Sequence, residues 1–170
     1  MIRAAMQWLV DGYNVIRRDP DLRAREAESL EAGRKALLHL LAQARGAAGD
    51  QFTVVFDGAR VSGGNPSEGR IRTIFSRPPR TADDELMRLA RQWREGGVVV
   101  SSDRKIQDAA RRAGCPVLTA EQFLDGLTAS SDDEREQPED DRPREKRGNP
   151  RRLSREARAA QRALRRLREP

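Results

Sequence analysis

The sequence predicts an α/β fold, a three-layer sandwich in which helices cover both faces of a central parallel sheet. Short apolar segments alternate with amphipathic segments through the first 127 residues, an order typical of βα repeats. The apolar segments are continuous, as in residues 52–57, and continuous runs indicate strands that are buried on both faces of a parallel sheet. We expect a linker and an arginine-rich helix to follow this domain.

The individual elements follow from hydrophobic periodicity and from the residues that begin and end each segment. Thr81 is a suitable N-cap with Asp84 three positions later, and Gly114 is a suitable helix end. Gly, Ser, Asn and Pro are frequent in the connection of residues 59–69. We predict strands at 7–12, 52–57, 70–76, 98–102 and 116–118, and helices at 22–46, 81–96, 103–113 and 119–127.

The composition changes after Leu127 and divides the chain into three predicted units. Residues 132–145 hold eight acidic and three basic residues, a composition typical of disordered linkers. Residues 146–170 hold ten basic and two acidic residues, with Leu and Ala recurring at helical spacing. We predict a domain at 1–128, an acidic linker at 129–146 and an arginine-rich amphipathic helix at 147–170.

Three interpretations fit the arginine-rich helix. Its arginines are suited to binding a polyanion such as RNA or the ribosome. Its Leu and Ala face is suited to pairing with a second copy or a partner. The third interpretation is a segment that is disordered in isolation, since a short helix is marginally stable alone. We prefer polyanion binding, and the sequence leaves the oligomeric state open.

The composition also excludes several classes of site and location. A single cysteine, Cys115, excludes an intrachain disulfide, and together with a single histidine, His39, it argues against a zinc site with four N/S ligands. No segment resembles a signal peptide or approaches the roughly 20 apolar residues of a membrane span. We therefore expect a cytoplasmic protein without membrane contact, and its formal net charge of +6 is compatible with a polyanionic partner.

Acidic residues follow the predicted strands at the points where parallel α/β sheets bind ligands. Asp11, Asp57 and Asp103 follow three strands, and Asp83 and Asp84 open the helix after another. If the first strand is central, these side chains converge at one sheet edge. Clustered carboxylates repel one another unless a cation lies between them, and oxygen ligands without His or Cys favour Mg²⁺ or Mn²⁺. Because such ions promote in-line phosphodiester hydrolysis, the sequence predicts that reaction.

Each acidic residue alone has a simpler structural interpretation. Asp11 and Asp57 precede glycines, as turn residues often do. Asp83 and Asp84 suit the first turn of a helix, where acids interact favourably with the helix dipole. Asp103 suits an N-cap. Their joint position at one predicted sheet edge is what favours a functional site.

Two polar residues beside these acids leave two interpretations open. Asn14 fits either a turn or a contact to a substrate phosphate. Ser102 fits either a helix cap or a hydrogen bond to a metal-bound water, and polar residues favour caps for reasons unrelated to catalysis.

Other enzyme classes fit the sequence poorly. No Gly-x-Gly-x-x-Gly follows the first strand, and no phosphate-binding loop ends in Gly-Lys-Ser/Thr. His39 lies within a predicted helix, away from any candidate serine nucleophile. Position 13 is Tyr, whereas an enzyme that forms an aspartyl phosphate needs a second aspartate there.

Four segments together resemble the NYN-domain nucleases, specifically their bacterial YacP-like branch. The resemblance covers about residues 7–127, and the arginine-rich helix is not part of the pattern. The four segments, in order and with suitable spacing, are Leu9–Ile16, Val54–Gly58, Thr81–Asp84 and Val99–Asp103.

The resemblance implies a PIN-like Rossmannoid fold and endoribonuclease activity that uses Mg²⁺ or Mn²⁺. It implies that Asp11, Asp84 and Asp103 form the centre of the site. It also implies mRNA cleavage in a ribosomal setting. The residues that the resemblance assigns to supporting positions are Asp57, Asp83, Asn14 and Ser102.

Basic residues surround the predicted site and are candidates for contacts to RNA phosphates. Tyr13 is the aromatic residue in a motif segment, where it is suited to stacking on a base. The basic candidates are Arg17, Arg18, Arg60, Arg70, Arg72, Arg77, Arg80, Arg104 and Lys105.

The function that the sequence predicts is a metal-dependent endoribonuclease. The alternatives are a non-catalytic RNA- or ribosome-binding protein with the same fold and, less favoured, a DNA-directed nuclease. The clustered acids favour the enzyme, because a protein that only binds a polyanion gains nothing from clustered negative charges.

Overall fold

The computed structural model describes residues 4–44, 46–58, 67–129 and 153–169. Its centre is a six-stranded sheet in the order β3-β4-β2-β1-β5-β6. Every neighbouring pair is parallel except β3 and β4, which are antiparallel. The strands are β1 (Gln7–Asp11), β2 (Gln51–Asp57), β3 (Ser67–Glu68), β4 (Ile71–Ser76), β5 (Gly97–Val100) and β6 (Val117–Leu118).

Seven α-helices accompany the sheet in the described part of the chain, and a 3₁₀ turn at Arg94–Gly96 precedes β5. Among the described helices, none combines the length and the apolarity needed to cross a membrane. The helices are α1 (Gly12–Arg17), α2 (Pro20–Glu28), α3 (Leu30–Gln43), α4 (Ala82–Trp93), α5 (Arg104–Ala113), α6 (Ala120–Ala129) and α7 (Arg155–Arg168).

Two hydrophobic cores, one on each face of the sheet, confirm the predicted three-layer arrangement. Alternate residues of β1 point to opposite faces, as strand geometry requires. Trp8 and Val10 pack with α1, α2, α3, α6 and α7, whereas Leu9 packs with α4 and α5. The continuous apolar runs are explained by this burial on both faces.

The predicted helix over 22–46 is wrong, because two helices occupy this stretch. Ser29 has an extended backbone, with φ −167° and ψ 155°, and its side chain accepts a hydrogen bond from Ala32 N. A serine in this conformation ends α2 and caps α3. A further short helix, α1, begins directly after β1, where the sequence indicated a turn.

Two predicted helix boundaries are confirmed, and one predicted connection contains a strand. Thr81 and Asp84 form a capping box at the start of α4, and Gly114 ends α5 with a left-handed φ of 86°. Ser67–Glu68 pairs with β4 within the predicted 59–69 loop. Residues 59–66 of that loop, including Arg60, lie outside the described residues.

The arginine-rich helix, α7, packs against the domain predicted at residues 1–128. Ala163 is 3% exposed and Leu167 is fully buried, and Leu167 lies close to Gly126 of α6. The apolar face is therefore covered by the chain's own core, whereas Arg155, Arg158, Arg162 and Arg165 are exposed. The linker predicted at 129–146 lies outside the described residues, apart from Ala129 in α6.

An ion pair joins α7 to the residues that precede β1 and β2. Arg166 Nε donates to Asp50 Oδ2 at 2.6 Å, and Arg166 Nη2 contacts Asp50 Oδ1. Trp8 Nε1 and Met6 N each donate to Asp50 at 3.0 Å. Burial opposes ionisation, but these donors lower the pKa of Asp50.

Candidate functional site

A groove of about 780 Å³ lies at the sheet edge where β1 and β2 end. β1 is central, with β2 on one side and β5 on the other, as the predicted convergence requires. Helices α1 and α3 form one wall, and the starts of α4 and α5 form the other. The described lining residues are Asp11, Tyr13, Asn14, Arg17, Leu30, Arg34, Asp57, Thr81, Ala82, Asp83 and Asp103.

Asp11 lies at the end of β1 and is 9% exposed. Ser101 Oγ donates to Asp11 Oδ2 at 2.9 Å. The glycine that follows is needed for packing, because a Cβ at Gly12 would lie 2.3 Å from the Phe56 ring. The Asp11-Gly12 pair therefore joins the end of β1 directly to the start of α1 and does not form a simple turn.

The electrostatic environment of Asp11 is unfavourable for its charge. Burial, together with the nearby carboxylates of Asp83 and Asp103, raises the pKa of Asp11 to about 6, although the hydrogen bond from Ser101 and the Arg17 charge lower it. Burial and the neighbouring Asp103 also raise the pKa of Asp83. Because like charges penalise one another's ionisation, a positive charge in the groove would stabilise the ionised form of the cluster.

Hydrogen bonds orient two other carboxylates of the cluster, those of Asp57 and Asp103. Ser76 Oγ donates to Asp57 Oδ1 at 2.9 Å. Asp103 caps α5 by accepting from Lys105 N at 2.8 Å, and its own N–H donates to Ser101 Oγ at 3.1 Å. Ser101 therefore bridges the Asp11 carboxylate at the end of β1 and the Asp103 backbone at the start of α5.

Asp84, which the sequence places at the centre of the site, does not line the groove. Its carboxylate accepts from Thr81 N at 3.0 Å in the capping box, and that hydrogen bond lowers the pKa of Asp84. Successive residues of a helix point about 100° apart, and here Asp83 faces the groove. A catalytic or metal-binding role for Asp84 stays a prediction.

Asn14 and Ser102 are placed differently from each other. Asn14 lines the groove, and its Oδ1 accepts from Ser102 N at 2.8 Å. The Ser102 hydroxyl donates to Glu121 at 2.7 Å and accepts from Ala120 N at 3.0 Å. The Ser102 hydroxyl therefore contacts the start of α6, whereas Asp103 is the N-cap of α5, and the serine beside the carboxylates is Ser101.

If the groove binds a divalent cation through Asp11, Ser101→Ala is expected to lower cation affinity by roughly 10- to 100-fold, the usual effect of losing a group that orients a metal ligand. The change removes the hydrogen bond that favours ionised Asp11, so the pKa of Asp11 should rise. We would measure this shift from the pH dependence of cation binding. Ser102→Ala is the matched control and should alter thermal stability alone. Equal effects of both changes on the pH profile would contradict the role of Ser101.

Some predicted basic contacts lie near the groove. Arg17 lines it, with its guanidinium 5.6 Å from the centre of the Tyr13 ring. The Tyr13 ring also packs against the Phe56 ring, with the two ring centres 5.0 Å apart. Lys105 is close enough to oppose the raised pKa of Asp83. The remaining candidates on this side are Arg77 and Arg104, which are exposed, and Arg80, which pairs with Glu85 at 3.5 Å.

Three other basic candidates are engaged elsewhere. Arg18 pairs with Glu121 at 3.1 Å. The prediction for Arg70 and Arg72 is wrong, because they lie at the opposite sheet edge, where β2 and β4 begin. Arg70 donates to the Ala44 and Ala47 carbonyls after α3, and Arg72 lies near Gln7 and Gln51.

The chain matches a known protein family over almost its whole length. The family model described as the YacP-like NYN domain matches residues 8–167. The chain belongs to the YacP-like NYN family. The expectation that the arginine-rich helix lies outside the family pattern is wrong, because the match to the YacP-like NYN domain continues through most of α7.

Relatives of this YacP-like NYN domain come from Bacillus subtilis. A curated relative, "Uncharacterized protein YacP" of strain 168, is 36% identical over 84 residues, which span 48% of this chain and 49% of the relative. The chain thus aligns with about half the length of that relative.

Two crystal structures of Rae1 (YacP) from Bacillus subtilis are similar to the chain. The W164L mutant has a TM-score of 0.60 at 26% identity, covering 78% of this chain and 85% of that one. The other structure has a TM-score of 0.60 at 30% identity, covering 71% and 72%. This YacP-like NYN chain therefore has a PIN-like, nuclease-like domain.

Proposed function

We propose that this YacP-like NYN protein is a metal-dependent endoribonuclease that hydrolyses RNA phosphodiester bonds. The observation that carries the proposal is the groove that collects Asp11, Asp57, Asp83 and Asp103. A fold gains no stability from gathering unpaired carboxylates, so a role in binding or catalysis accounts for them better. Family membership supports a nuclease-like role.

Mg²⁺ or Mn²⁺ is the cofactor that we propose. Among the described residues, no three His, Cys, Asp or Glu side chains form a group that could hold an ion directly. Magnesium usually binds through one or two carboxylates and keeps several waters, so an open ring of aspartates fits a hydrated ion. When bound, such an ion supplies positive charge to the phosphate and lowers the pKa of a water.

The groove residues are proposed to divide the remaining tasks. Asp11, Asp83 and Asp103 surround the hydrated cation and bind it largely through its waters, and Asp57 supports them from β2. Asn14 contacts the substrate phosphate from α1. Arg17 and Lys105 attract the RNA backbone through salt-dependent contacts.

Cleavage of labelled single-stranded RNA by the full chain tests this proposal. We expect internal cleavage with Mn²⁺ or Mg²⁺, and no products in EDTA because the carboxylates alone supply no positive charge. DNA of the same sequence serves as the comparison substrate. Products that persist in EDTA would contradict metal dependence. Cleavage of DNA but not of RNA would show that the protein is a DNA-directed nuclease.

RNA binding without turnover under any cation would favour the alternative, a non-catalytic RNA- or ribosome-binding protein. We propose mRNA on the ribosome as the setting of cleavage, which the exposed arginines of α7 support as a polyanion-binding face. The same cleavage assay with and without ribosomes distinguishes a free enzyme from one that depends on them.

A further inference from the structure

The α3 wall of the groove carries a large exposed apolar side chain. Leu30, the first residue of α3, is 53% exposed and lines the groove. Single exposed leucines are common on protein surfaces, so exposure alone assigns nothing. The position of Leu30 is informative, because this apolar side chain lies in a groove that is otherwise polar and charged.

Arg34 lies one helical turn after Leu30 and lines the same groove. Residues four apart on a helix share a face, with Cβ atoms about 5–6 Å apart. The Arg34 guanidinium lies 5.5 Å from the centre of the Phe75 ring. Among the described residues, no carboxylate lies within ion-pair distance of Arg34, and the nearby Glu31 is itself paired with Lys35 at 3.0 Å. The Arg34 charge can therefore act on an anion in the groove.

The Tyr13 hydroxyl completes this wall. It accepts a hydrogen bond from Arg34 at 3.0 Å, and a phenol that accepts still has its own proton to donate. Because the ring already contacts Phe56 and lies beneath the Arg17 guanidinium, it is poorly placed to stack on a base. Its hydroxyl is the group that Tyr13 offers to a ligand.

We propose that Leu30, Arg34 and Tyr13 bind one unpaired nucleotide of the substrate RNA. Leu30 contacts the face of the base, and Arg34 with the Tyr13 hydroxyl contacts the adjoining phosphate. This inference rests on the proposed function, because the ligand of this wall is the RNA that the carboxylates on the other side of the groove are proposed to cleave.

The chemistry of this wall selects single-stranded RNA. In a duplex, both faces of a base are stacked and only backbone and groove edges are accessible, whereas an unpaired base exposes its faces. A leucine offers apolar area without hydrogen-bonding groups, so it needs a base but does not distinguish which base. The site therefore favours unpaired RNA with weak sequence preference.

Equilibrium binding of a fluorescent single-stranded RNA in EDTA tests the site without cleavage. Leu30→Ala should weaken binding by about 5-fold, and the loss should vanish when the contacted nucleotide is replaced by an abasic one. Arg34→Met should weaken binding by roughly 10-fold and reduce the salt slope by about one phosphate contact. Arg34→Lys should restore most of that slope.

Matched controls lie elsewhere on the surface. Leu153 is 48% exposed and lies just before α7, and Arg91 is exposed on α4. Leu153→Ala and Arg91→Met should bind RNA like the wild type. Duplex RNA should bind more weakly than single-stranded RNA, and Leu30→Ala should not change its affinity.

Two outcomes separate this site from the proposed function. If the wild type cleaves RNA but Leu30→Ala and Arg34→Met match their controls, this nucleotide site is overturned and the nuclease proposal stands. If the variants lose binding as expected but the wild type never cleaves, the nuclease proposal is overturned and the site stands. If Leu30→Ala weakens the binding of intact RNA and of every abasic RNA by the same factor, the contact between Leu30 and a base is overturned.

Discussion

Asp11→Asn is expected to abolish RNA cleavage and, at pH 7 without metal, to make the folded protein more stable. The amide keeps the size of the carboxylate and still accepts the hydrogen bond from Ser101. It removes one negative charge from the cluster with Asp83 and Asp103. Loss of a proposed cation ligand should lower kcat by about 1000-fold or more. Relief of buried charge should raise the free energy of unfolding by up to about 3 kcal/mol.

The stability gain should depend on pH in a direction that follows from the raised pKa. The pKa of Asp11 is about 6 in the folded protein and about 4 in an unfolded chain. Between these values the folded state holds the proton more tightly, so the wild type loses stability as pH rises. We expect the two proteins to be equally stable near pH 4 and to differ fully above pH 6.

Urea unfolding in EDTA between pH 4 and pH 7, together with cleavage assays, measures both effects. Asp50→Asn is the matched control, since Asp50 is also buried but is bound by Arg166 at the opposite sheet edge. That change should lower stability without entering the groove. An Asp11→Asn protein that is less stable than the wild type at pH 7, or that still cleaves RNA, would contradict the role given to Asp11.

Arg166→Met is expected to destabilise the protein by about 3–5 kcal/mol, because it leaves the buried charge of Asp50 without its partner. Arg166 is 14% exposed and Asp50 is fully buried, so water cannot replace the guanidinium. In a domain of this size such a loss lowers Tm by roughly 10 °C. Because the pKa of Asp50 is lowered, its contribution is present above about pH 4 and is lost on acidification.

The neighbouring Arg162→Met is the control for this experiment, since Arg162 is exposed on the same helix and surface changes usually alter stability by under about 0.5 kcal/mol. The double variant Asp50→Asn with Arg166→Met should recover part of the lost stability, because neither charge remains. Equal melting temperatures for Arg166→Met and Arg162→Met would show that the ion pair contributes nothing.

Local sequence features predicted most of the fold. Continuous apolar runs predicted the strands because a parallel sheet is buried on both faces, and Thr81 and Gly114 predicted helix ends because their effects are local. The break at Ser29 was missed, since a serine within an apolar helical pattern is equally compatible with a helix interior and a cap. The docking of α7 depends on Asp50, 116 residues away from Arg166, a distance that no local pattern spans.

The candidate site was predicted less completely. Strand ends located Asp11, Asp57 and Asp103, because parallel topology brings such ends to one edge. The choice between Asp83 and Asp84, and between Ser101 and Ser102, depends on which way one of two adjacent side chains points. Leu30 and Arg34 follow no strand, and only the packing of α3 beside α1 brings them to the groove.

The ion pair between Arg166 and Asp50 can form only late in synthesis, because its two residues lie far apart in the chain. The two residues lie 116 positions apart, and ribosomes add about 5–20 residues per second. Asp50 is therefore made roughly 6–23 seconds before its partner, on the same elongation rates. Throughout that interval Asp50 lacks the arginine that neutralises its charge in the folded protein. The part of the sheet around β1 and β2 therefore reaches full stability only after α7 has been synthesised.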